Sequence, residues 1–384
     1  TRWTGDWSSD VCSSDLELKA AGKDVIGLGA GEPDFDTPEF IKEAAIQAIH
    51  AGLTKYTPVD GTASLKKAII AKFQRDNGLS YEPKQILVSC GGKQSFYNLA
   101  QALLNSGDEV IIPAPYWVSY PDMTLLADGV PVIVSADIDQ HFKITPAQLA
   151  AAITPRTKLL VINSPSNPTG VAYSAAELAG LGEVLRQYPQ VYIATDDMYE
   201  HIQWTGEKFC NILNVCPDLS DRTVVLNGVS KVYAMTGWRI GYCGGPKDLI
   251  NAMTNIQSQS TSNPTSISQF AAEAGLNGDQ ACVAMMTQAF RERHDYVYGV
   301  LKTMSGVIVA PADGTFYIFP NFQPAMDRLG LANDIAFAER LLNEVGVAVV
   351  PGSAFGAEGC VRISFATSMG NLTKALDRIG HVVG

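Results

Sequence analysis

Residues 228–242 read GVSKVYAMTGWRIGY, and they contain a single lysine, Lys231, among small and apolar neighbours. An arginine, Arg239, follows eight residues later. Burial lowers the pKa of a lysine, and a neutral lysine amine is a nucleophile that forms Schiff bases with carbonyl compounds. A lysine that snorkels from the edge of a core strand would show the same pattern. The segment alone therefore allows both interpretations.

The fold class is indicated by short apolar runs on both sides of helical segments. The runs before Lys231 are QILVS (85–89), EVIIP (109–113), VPVIV (130–134), KLLVIN (158–163), VYIAT (191–195) and TVVLN (223–227). This alternation predicts an α/β fold with a mostly parallel central sheet covered by helices. A sheet of this kind binds its ligands at the C-terminal ends of its strands.

The length of 384 residues is enough for two domains. After about residue 275 a long helical stretch is followed by FYIF, VAVVP and VRISF and by a closing helix, which predicts a smaller α+β domain. We expect a large domain over 32–275, a small C-terminal domain over 276–384 and a remnant of an N-terminal segment over 17–31. Thr37 and Pro38 are expected to open a helix as its N-cap and first-turn residues.

The first sixteen residues, TRWTGDWSSDVCSSDL, show no helix or strand period. They also lack the charged and apolar regions of a signal peptide. Codons for residues 6–16 can be chosen so that they match a common short-read sequencing adapter. We therefore expect residues 1–16 to be a non-native, adapter-derived tail.

Composition excludes several classes of function. The net charge of −11, without a run rich in Lys and Arg, argues against a nucleic-acid partner. No apolar stretch approaches the roughly 20 residues that span a membrane. The seven cysteines and five histidines form no cluster with metal-ligand spacing, so no metal site is predicted. Scattered cysteines fit a reducing cytoplasm.

Polar residues follow the predicted strands where each strand ends. KLLVIN is followed by SPSNPTG (164–170), which contains Asn167, and VYIAT is followed by DDMY (196–199), which contains Asp196 and Tyr199. Gly91 and Gly92 follow QILVS and open a helix, whose free N–H groups can bind a phosphate. Each motif alone also fits an ordinary turn or a helix cap.

Together these segments resemble the fold-type I, class I aminotransferases, which use pyridoxal 5'-phosphate. The resemblance runs from about Glu17 to the C-terminus, and GGKQ with PYWVSYP is most like the bacterial aspartate aminotransferase branch. The segments that carry it are GEPDFDTP (31–38), YTPVDGT (56–62), GGKQ (91–94), PYWVSYP (115–121), NSPSNPTG (163–170), DDMYEH (196–201), SKVYAMTGWRIGY (230–242) and VRISFA (361–366).

The resemblance implies roles around the cofactor ring. Lys231 is implied to be the Schiff-base lysine, and Arg239 to bind the phosphate bidentately. Asp196 is implied to keep the pyridine nitrogen protonated, which makes the ring an electron sink. Tyr199 and Asn167 are implied to hydrogen-bond the phenolic oxygen of the ring and to depress the pKa of the Schiff base.

Further roles follow from the same resemblance. Trp117 is implied to stack on the ring, and Gly92 and Lys93 to offer backbone N–H groups to the phosphate. Tyr56 resembles a tyrosine that reaches the phosphate of the neighbouring subunit, which implies a homodimer with shared active sites. Arg362 is implied to bind the substrate α-carboxylate. The implied substrate site comprises Gly31, Lys93, Trp117, Asn167 and Arg362.

Two local features bear on this assignment. Gly228 stands where many relatives have serine or threonine three residues before the lysine, which removes one possible hydroxyl for the phosphate. The resemblance also implies that the peptide bonds before Pro115 and Pro168 are cis, a geometry that would aim Trp117 and Asn167 inward.

The implied activity is transfer of an amino group from an L-amino acid, with aspartate or glutamate expected, to a 2-oxo acid, while Lys231 moves the α-proton. Lys93 is the candidate for the second carboxylate of an acidic substrate. An aromatic or prephenate aminotransferase and a pyridoxal-phosphate-dependent lyase remain as alternatives. A nicotinamide dehydrogenase does not fit, because GLGAGE (27–32) has Glu32 where the dinucleotide fingerprint needs its third glycine.

Overall fold

The computed structural model describes residues 22–384. The tail predicted over residues 1–16 lies outside the described residues, as does the first part of the remnant predicted over 17–31. No helix within residues 22–384 combines the length and the apolar character needed to cross a membrane.

A seven-stranded sheet forms the centre of the molecule, in the order β2-β8-β7-β6-β5-β3-β4. Strands β3 to β7 pair in parallel, and β8 is antiparallel to both β2 and β7. The predicted α/β fold with a mostly parallel sheet is confirmed. The strands are β2 (Ile86–Ser89), β3 (Glu109–Ala114), β4 (Val130–Ser135), β5 (Thr157–Asn163), β6 (Tyr192–Asp196), β7 (Thr223–Gly228) and β8 (Gly241–Gly244).

Helices cover both faces of this sheet. Alternate residues of one strand enter separate cores: Leu160 and Ile162 pack in one cluster, and Leu159 and Val161 in another. This double burial explains why the strands are continuous apolar runs. The helices up to residue 277 are α1 (Glu39–His50), α2 (Ala63–Lys72), α3 (Gly92–Leu103), α4 (Ser119–Leu126), α5 (Pro146–Ala152), α6 (Ala175–Arg186), α7 (Ile212–Val215), α8 (Lys247–Ser260) and α9 (Ser266–Asn277).

The C-terminal part has its own small sheet and core. Its antiparallel strands lie in the order β11-β12-β9, and β1 (Ile26–Gly27) pairs in parallel with β10. The division into domains at 275/276 stays a prediction. The elements are α10 (Ala281–Leu301), β9 (Tyr317–Ile318), α11 (Gln323–Leu329), α12 (Asp334–Val345), β10 (Val347–Ala348), β11 (Val350–Pro351), β12 (Val361–Ser364) and α13 (Met369–Val383).

Helix α1 begins one residue later than expected. The prediction of Thr37 as N-cap is wrong, because Pro38 is the N-cap and no side chain caps this end. The Thr37 hydroxyl instead donates to the carbonyl of Ala234 at 2.7 Å and accepts from Nε1 of Trp238 at 3.0 Å. Thr37 therefore fastens the start of α1 to the loop that carries Lys231.

The two predicted cis peptide bonds, before Pro115 and Pro168, are confirmed, and the bond before Pro165 is also cis. All three bonds lie in segments that leave the C-terminal ends of β3 and β5. These segments carry Trp117 and Asn167.

Candidate active site

A cavity of about 310 Å³ opens at the C-terminal ends of the central strands. This volume lies at the lower end of the range for small-molecule sites. Every predicted site residue except Tyr56 lines it, which brings together Gly31, Gly92, Lys93, Trp117, Asn167, Asp196, Tyr199, Lys231, Arg239 and Arg362. The fold thus collects residues from seven separate segments of the chain.

Lys231 lies in the turn after β7 and faces the cavity. Its Nζ donates a hydrogen bond to the carbonyl oxygen of Gly31 at 2.5 Å. Burial of the ammonium lowers the pKa of Lys231 to about 8, and the positive charges of Arg362 and Arg239 act in the same direction. A substantial fraction of neutral amine is therefore present at mildly alkaline pH, which favours the nucleophile over the snorkelling lysine.

Asp196 is the last residue of β6, and its carboxylate is held by two donors. The hydroxyl of Tyr120 donates to Oδ2 at 2.5 Å, and the backbone N–H of Met198 donates to Oδ1 at 3.2 Å. Burial raises the pKa of Asp196, while both hydrogen bonds and the charge of Lys231 oppose that rise. The group is thus a buried carboxylate that faces the cavity, and no cation among residues 22–384 is bound directly to it.

Arg362 projects from β12 with 6% of its surface exposed. Its guanidinium donates to Oδ1 of Asn167 at 3.0 Å and to the carbonyl of Gly29 at 2.7 Å, and its Nε has no partner within the described part of the chain. Among residues 22–384 no carboxylate forms an ion pair with it. A buried cation with only neutral partners is costly unless an anion joins it, so Arg362 is suited to bind a carboxylate ligand.

Arg239 also lines the cavity, and it lies beside the N-terminus of α3. A Cβ added to Gly91 would lie 2.3 Å from Nη2 of Arg239, so the absence of a side chain at Gly91 lets the guanidinium approach the backbone. The guanidinium donates to the carbonyl of Thr236 at 2.9 Å. The first N–H groups of a helix lack intrahelical partners. Together with Arg239 they are suited to bind a phosphate.

Asparagine side chains join the loop after β5 to the sheet. Nδ2 of Asn163 donates to the carbonyl of Asp196 at 3.0 Å, and Oδ1 of Asn163 accepts from the backbone N–H of Asn167 at 2.8 Å. Asn167 in turn accepts from Arg362. This chain of bonds sets the relative positions of Asp196, Asn167 and Arg362.

Lys93 and Trp117 form the outer wall. Nζ of Lys93 lies 5.3 Å from the centroid of the Trp117 ring, and Trp117 packs edge-on against Tyr120 at 5.2 Å. Within the described part of the chain, no carboxylate forms an ion pair with Lys93. The wall therefore combines a free cation with an aromatic face.

The charge of the cavity is its most informative property. Four cationic side chains line it, Lys93, Lys231, Arg239 and Arg362, against one carboxylate, Asp196. The arrangement fits a ligand that carries several negative charges. Across residues 22–384 no group of His, Cys, Asp or Glu side chains could hold a metal ion.

Gly228 lies in crowded surroundings. A Cβ at this position would be 3.1 Å from the carbonyl oxygen of Ile240 and from the terminal methyl of Met198, and 3.2 Å from Cα of Gly241. That methyl would also lie 2.4 Å from a Cβ at Gly92. Met198 thus occupies the space beside both glycines, and a larger residue at 228 requires neighbouring atoms to shift.

Several lining residues were not predicted. Tyr120, Asn163, Met198 and Tyr317 all line the cavity. Tyr120 lies within PYWVSYP, three residues after Trp117, and its position one helical turn away was an available signal. Tyr317 lies within FYIF, where a phenol is indistinguishable from a core aromatic.

Tyr56 is the predicted residue that does not line the cavity of its own chain. It precedes α2 in a loop and is 92% exposed. The nearby Thr57 hydroxyl accepts from Nε2 of Gln269 at 3.0 Å, which holds this loop against α9. An exposed phenol on a held loop is available to a neighbouring molecule.

Comparison with known proteins places this geometry in context. The family model for aminotransferase class I and II matches residues 23–379. The chain is 60% identical to an aspartate/prephenate aminotransferase of Nitrosomonas europaea, over 97% of this chain and 96% of the relative.

Solved structures agree with this result. An aspartate aminotransferase from Rhizobium meliloti superposes with a TM-score of 0.93 and 47% identity, over 100% of this chain and 99% of the other. An aspartate aminotransferase from Thermus thermophilus with maleate has a TM-score of 0.92 and 42% identity, over the full length of both chains.

Proposed function

The chain belongs to the aminotransferase class I and II family, and from that premise we propose how its cavity transfers an amino group. It is an aminotransferase that acts on aspartate-like substrates. The cofactor, the role of each residue, the exact substrates and the assembly are our proposals. The observation that carries them is the cavity with four cations and one buried carboxylate.

We propose pyridoxal 5'-phosphate as the cofactor. When bound, it supplies an aldehyde that condenses with amines and a ring that delocalises the electron pair left on the substrate Cα. The donor set fits this group. Arg239 and the backbone of Gly92 and Lys93 would bind the phosphate, Asp196 the pyridine nitrogen, and Tyr199 with Asn167 the phenolic oxygen. Trp117 would cover the ring.

Two residues of the chain handle protons. Asp196 would hold a proton at the pyridine nitrogen of the bound cofactor, because the hydrogen bond from Tyr120 helps to keep the carboxylate ionised against the effect of its burial. The Nζ of Lys231 takes the α-proton from the substrate and returns it as general base and acid. A pKa of about 8 allows Lys231 to act both as a general base and as a general acid near neutral pH.

The substrate is held at its two ends. Arg362 binds the α-carboxylate, with Asn167 and the backbone at Gly31 beside it. Lys93 binds the distal carboxylate of aspartate or glutamate, because it is a cation at the mouth of the same cavity that has no acidic partner among residues 22–384. The structural relative that was solved with maleate, a dicarboxylate, supports this arrangement.

Prephenate is the second candidate substrate. The relative from Nitrosomonas europaea is named an aspartate/prephenate aminotransferase. Prephenate also carries a distal carboxylate, here on a ring, and Lys93 lies beside the aromatic face of Trp117. The same wall therefore offers both an apolar contact and a charge for this acceptor.

We further propose a homodimer with shared active sites. Ile46 and Ile49 on α1, Leu53 after it and Tyr56 form an exposed apolar strip. A second copy that covers this strip would bring its Tyr56 to the phosphate site of the first. The described cysteines are free thiols, which supports a reducing cytoplasm as the location.

The test is a substrate panel on the purified protein. After loading with pyridoxal 5'-phosphate, single amino acids are added and the cofactor absorbance is followed together with release of the 2-oxo acid. We expect aspartate and glutamate to react fastest. Lys231→Ala should abolish turnover, whereas Lys67→Ala, at an exposed lysine of α2, should not. Turnover by Lys231→Ala at the wild-type rate would refute the assignment.

A further inference from the structure

Tyr317 has no role in the function proposed above, yet it contacts three parts of the site. It lies on β9, lines the cavity and has 1% of its surface exposed. Its hydroxyl is 3.1 Å from the hydroxyl of Tyr199. The guanidinium of Arg362 lies over its ring, 4.5 Å from the centroid. A Cβ at Gly31 would be 3.2 Å from its hydroxyl, so Tyr317 also packs against that backbone.

The two phenols share one hydrogen bond, and each has one proton to donate. Among residues 22–384 neither hydroxyl has another hydrogen-bond partner. If Tyr199 donated to Tyr317, it would have no proton left for an acceptor in the cavity. If Tyr317 donates, Tyr199 keeps its proton and becomes a stronger donor, because linked hydrogen bonds polarise one another.

The ring of Tyr317 has a separate contact. Arg362 has no acidic partner in the described part of the chain, and its Nε is unpaired. The faces of Tyr317 and Phe355, 4.5 and 5.0 Å from the guanidinium carbon, offset part of the cost of burying this charge. The ring thereby fixes the plane in which the guanidinium meets a carboxylate.

We propose that Tyr317 is a positioning residue that acts on both ligands at once. Its hydroxyl donates to Tyr199 and directs the Tyr199 proton to the phenolic oxygen of the cofactor. Its ring holds Arg362 in line with the substrate α-carboxylate. The inference rests on the proposed function, because it uses the roles proposed there for Tyr199 and Arg362.

Two substitutions separate the hydroxyl from the ring. Tyr317→Phe keeps the ring and removes one donor to Tyr199, which weakens stabilisation of the ionised phenolic oxygen. We expect the pH midpoint of the cofactor's visible absorbance to rise by about 0.4–1 pH unit, with the KM for aspartate within twofold of wild type. Tyr317→Leu removes both contacts. We expect the same rise in midpoint and an increase in KM of about 2- to 30-fold.

Two further variants serve as controls in the full-length holoprotein. Tyr81→Phe removes another buried hydroxyl, which lies outside the cavity and has no hydrogen-bond partner among the described residues, and it should leave both readouts at wild-type values. In a Tyr199→Phe background, Tyr317→Phe should cause no additional shift of the midpoint, since its effect passes through Tyr199. Thermal unfolding of each apoprotein verifies that the variants are folded.

The outcomes are distinct. A wild-type midpoint in Tyr317→Phe, or a shift that persists in the Tyr199→Phe background, would overturn the role of the hydroxyl. An unchanged KM in Tyr317→Leu would overturn the role of the ring. A wild-type protein with no cofactor band and no transamination would overturn the proposed function, and this inference with it.

Discussion

Replacement of Lys93 tests how the cavity selects acidic substrates. The side chain stands at the mouth of the cavity, and its Nζ lies 5.3 Å from the ring of Trp117. Within residues 22–384 no carboxylate neutralises it, so its charge is available to a ligand. Lys93→Ala removes that charge and leaves the backbone N–H, which is the proposed contact to the phosphate.

The expected magnitude follows from the single bond that is lost. A hydrogen bond to a charged group contributes about 1.5–3 kcal/mol, which corresponds to a roughly 10- to 100-fold change. Lys93 is exposed at the cavity mouth, where water and salt screen the interaction, so the lower half of this range is expected. The loss should fall on dicarboxylic substrates, since a monocarboxylic amino acid has no group in this position.

The assay compares kcat/KM for aspartate, glutamate, phenylalanine and leucine in wild type, Lys93→Ala and Lys93→Arg. Lys93→Arg keeps the charge and should retain most of the preference for aspartate and glutamate. The loss in Lys93→Ala should shrink as ionic strength rises. Equal losses for all four amino acids would refute the reasoning, because Lys93 would then support the cofactor rather than select the substrate.

Three further predictions concern the pKa of Lys231, the hydrogen bond from Tyr120 to Asp196 and the assembly of the protein. In apoprotein, capture of pyridoxal at Lys231, followed by borohydride trapping and peptide mapping, should rise with pH with a midpoint near pH 8 and level off about one pH unit above it. A midpoint at the ordinary lysine pKa of about 10.4 would contradict the lowered value. Tyr120→Phe should weaken cofactor affinity about 10- to 100-fold. The loss should be larger at pH 6 than at pH 8, because removal of the Tyr120 hydrogen bond raises the pKa of Asp196 further. If fluorescence titration gives equal affinities for the variant and the wild type, Tyr120 does not have this role. Tyr56→Ala should weaken cofactor binding without altering the substrate KM. A wild-type protein that is monomeric and fully active on dilution would contradict the proposed shared active site.

The central sheet was predictable because burial on both faces leaves a strong signal. Strands such as β5 are continuous runs of Val, Ile and Leu, and turn residues follow them. The antiparallel β8, with the sequence GYCG, was not predicted, since two glycines give it no apolar run. The apolar run of β4 gave no sign that this strand lies at the edge of the sheet, where Val130 and Ile133 are exposed.

The site was predictable to the extent that its residues end strands or belong to a family motif. Asp196 ends a central strand, Asn167 and Lys231 follow two others, and a parallel sheet gathers such residues at the C-terminal ends of its strands. Thr37 was misassigned because a local cap motif does not reveal a distant partner, here the carbonyl of Ala234. Tyr317 was missed for a similar reason, because its proposed role depends on contacts with residues that are distant in the sequence.

The cations of the cavity explain why so many distant segments meet there. Arg362 is buried against neutral oxygens and two aromatic faces, and these partners compensate only part of the cost of removing a charge from water. Lys231 shows the same cost as a lowered pKa. A fold that needed only stability would have apolar side chains at these positions or would pair each cation fully. The chain instead leaves both cations without an acidic partner among the described residues and positions them with Gly29, Gly31 and Asn167. The electrostatic cost of burying these cations is then offset only when anionic ligands bind. This arrangement is expected of a site that takes up and releases charged substrates in every catalytic cycle.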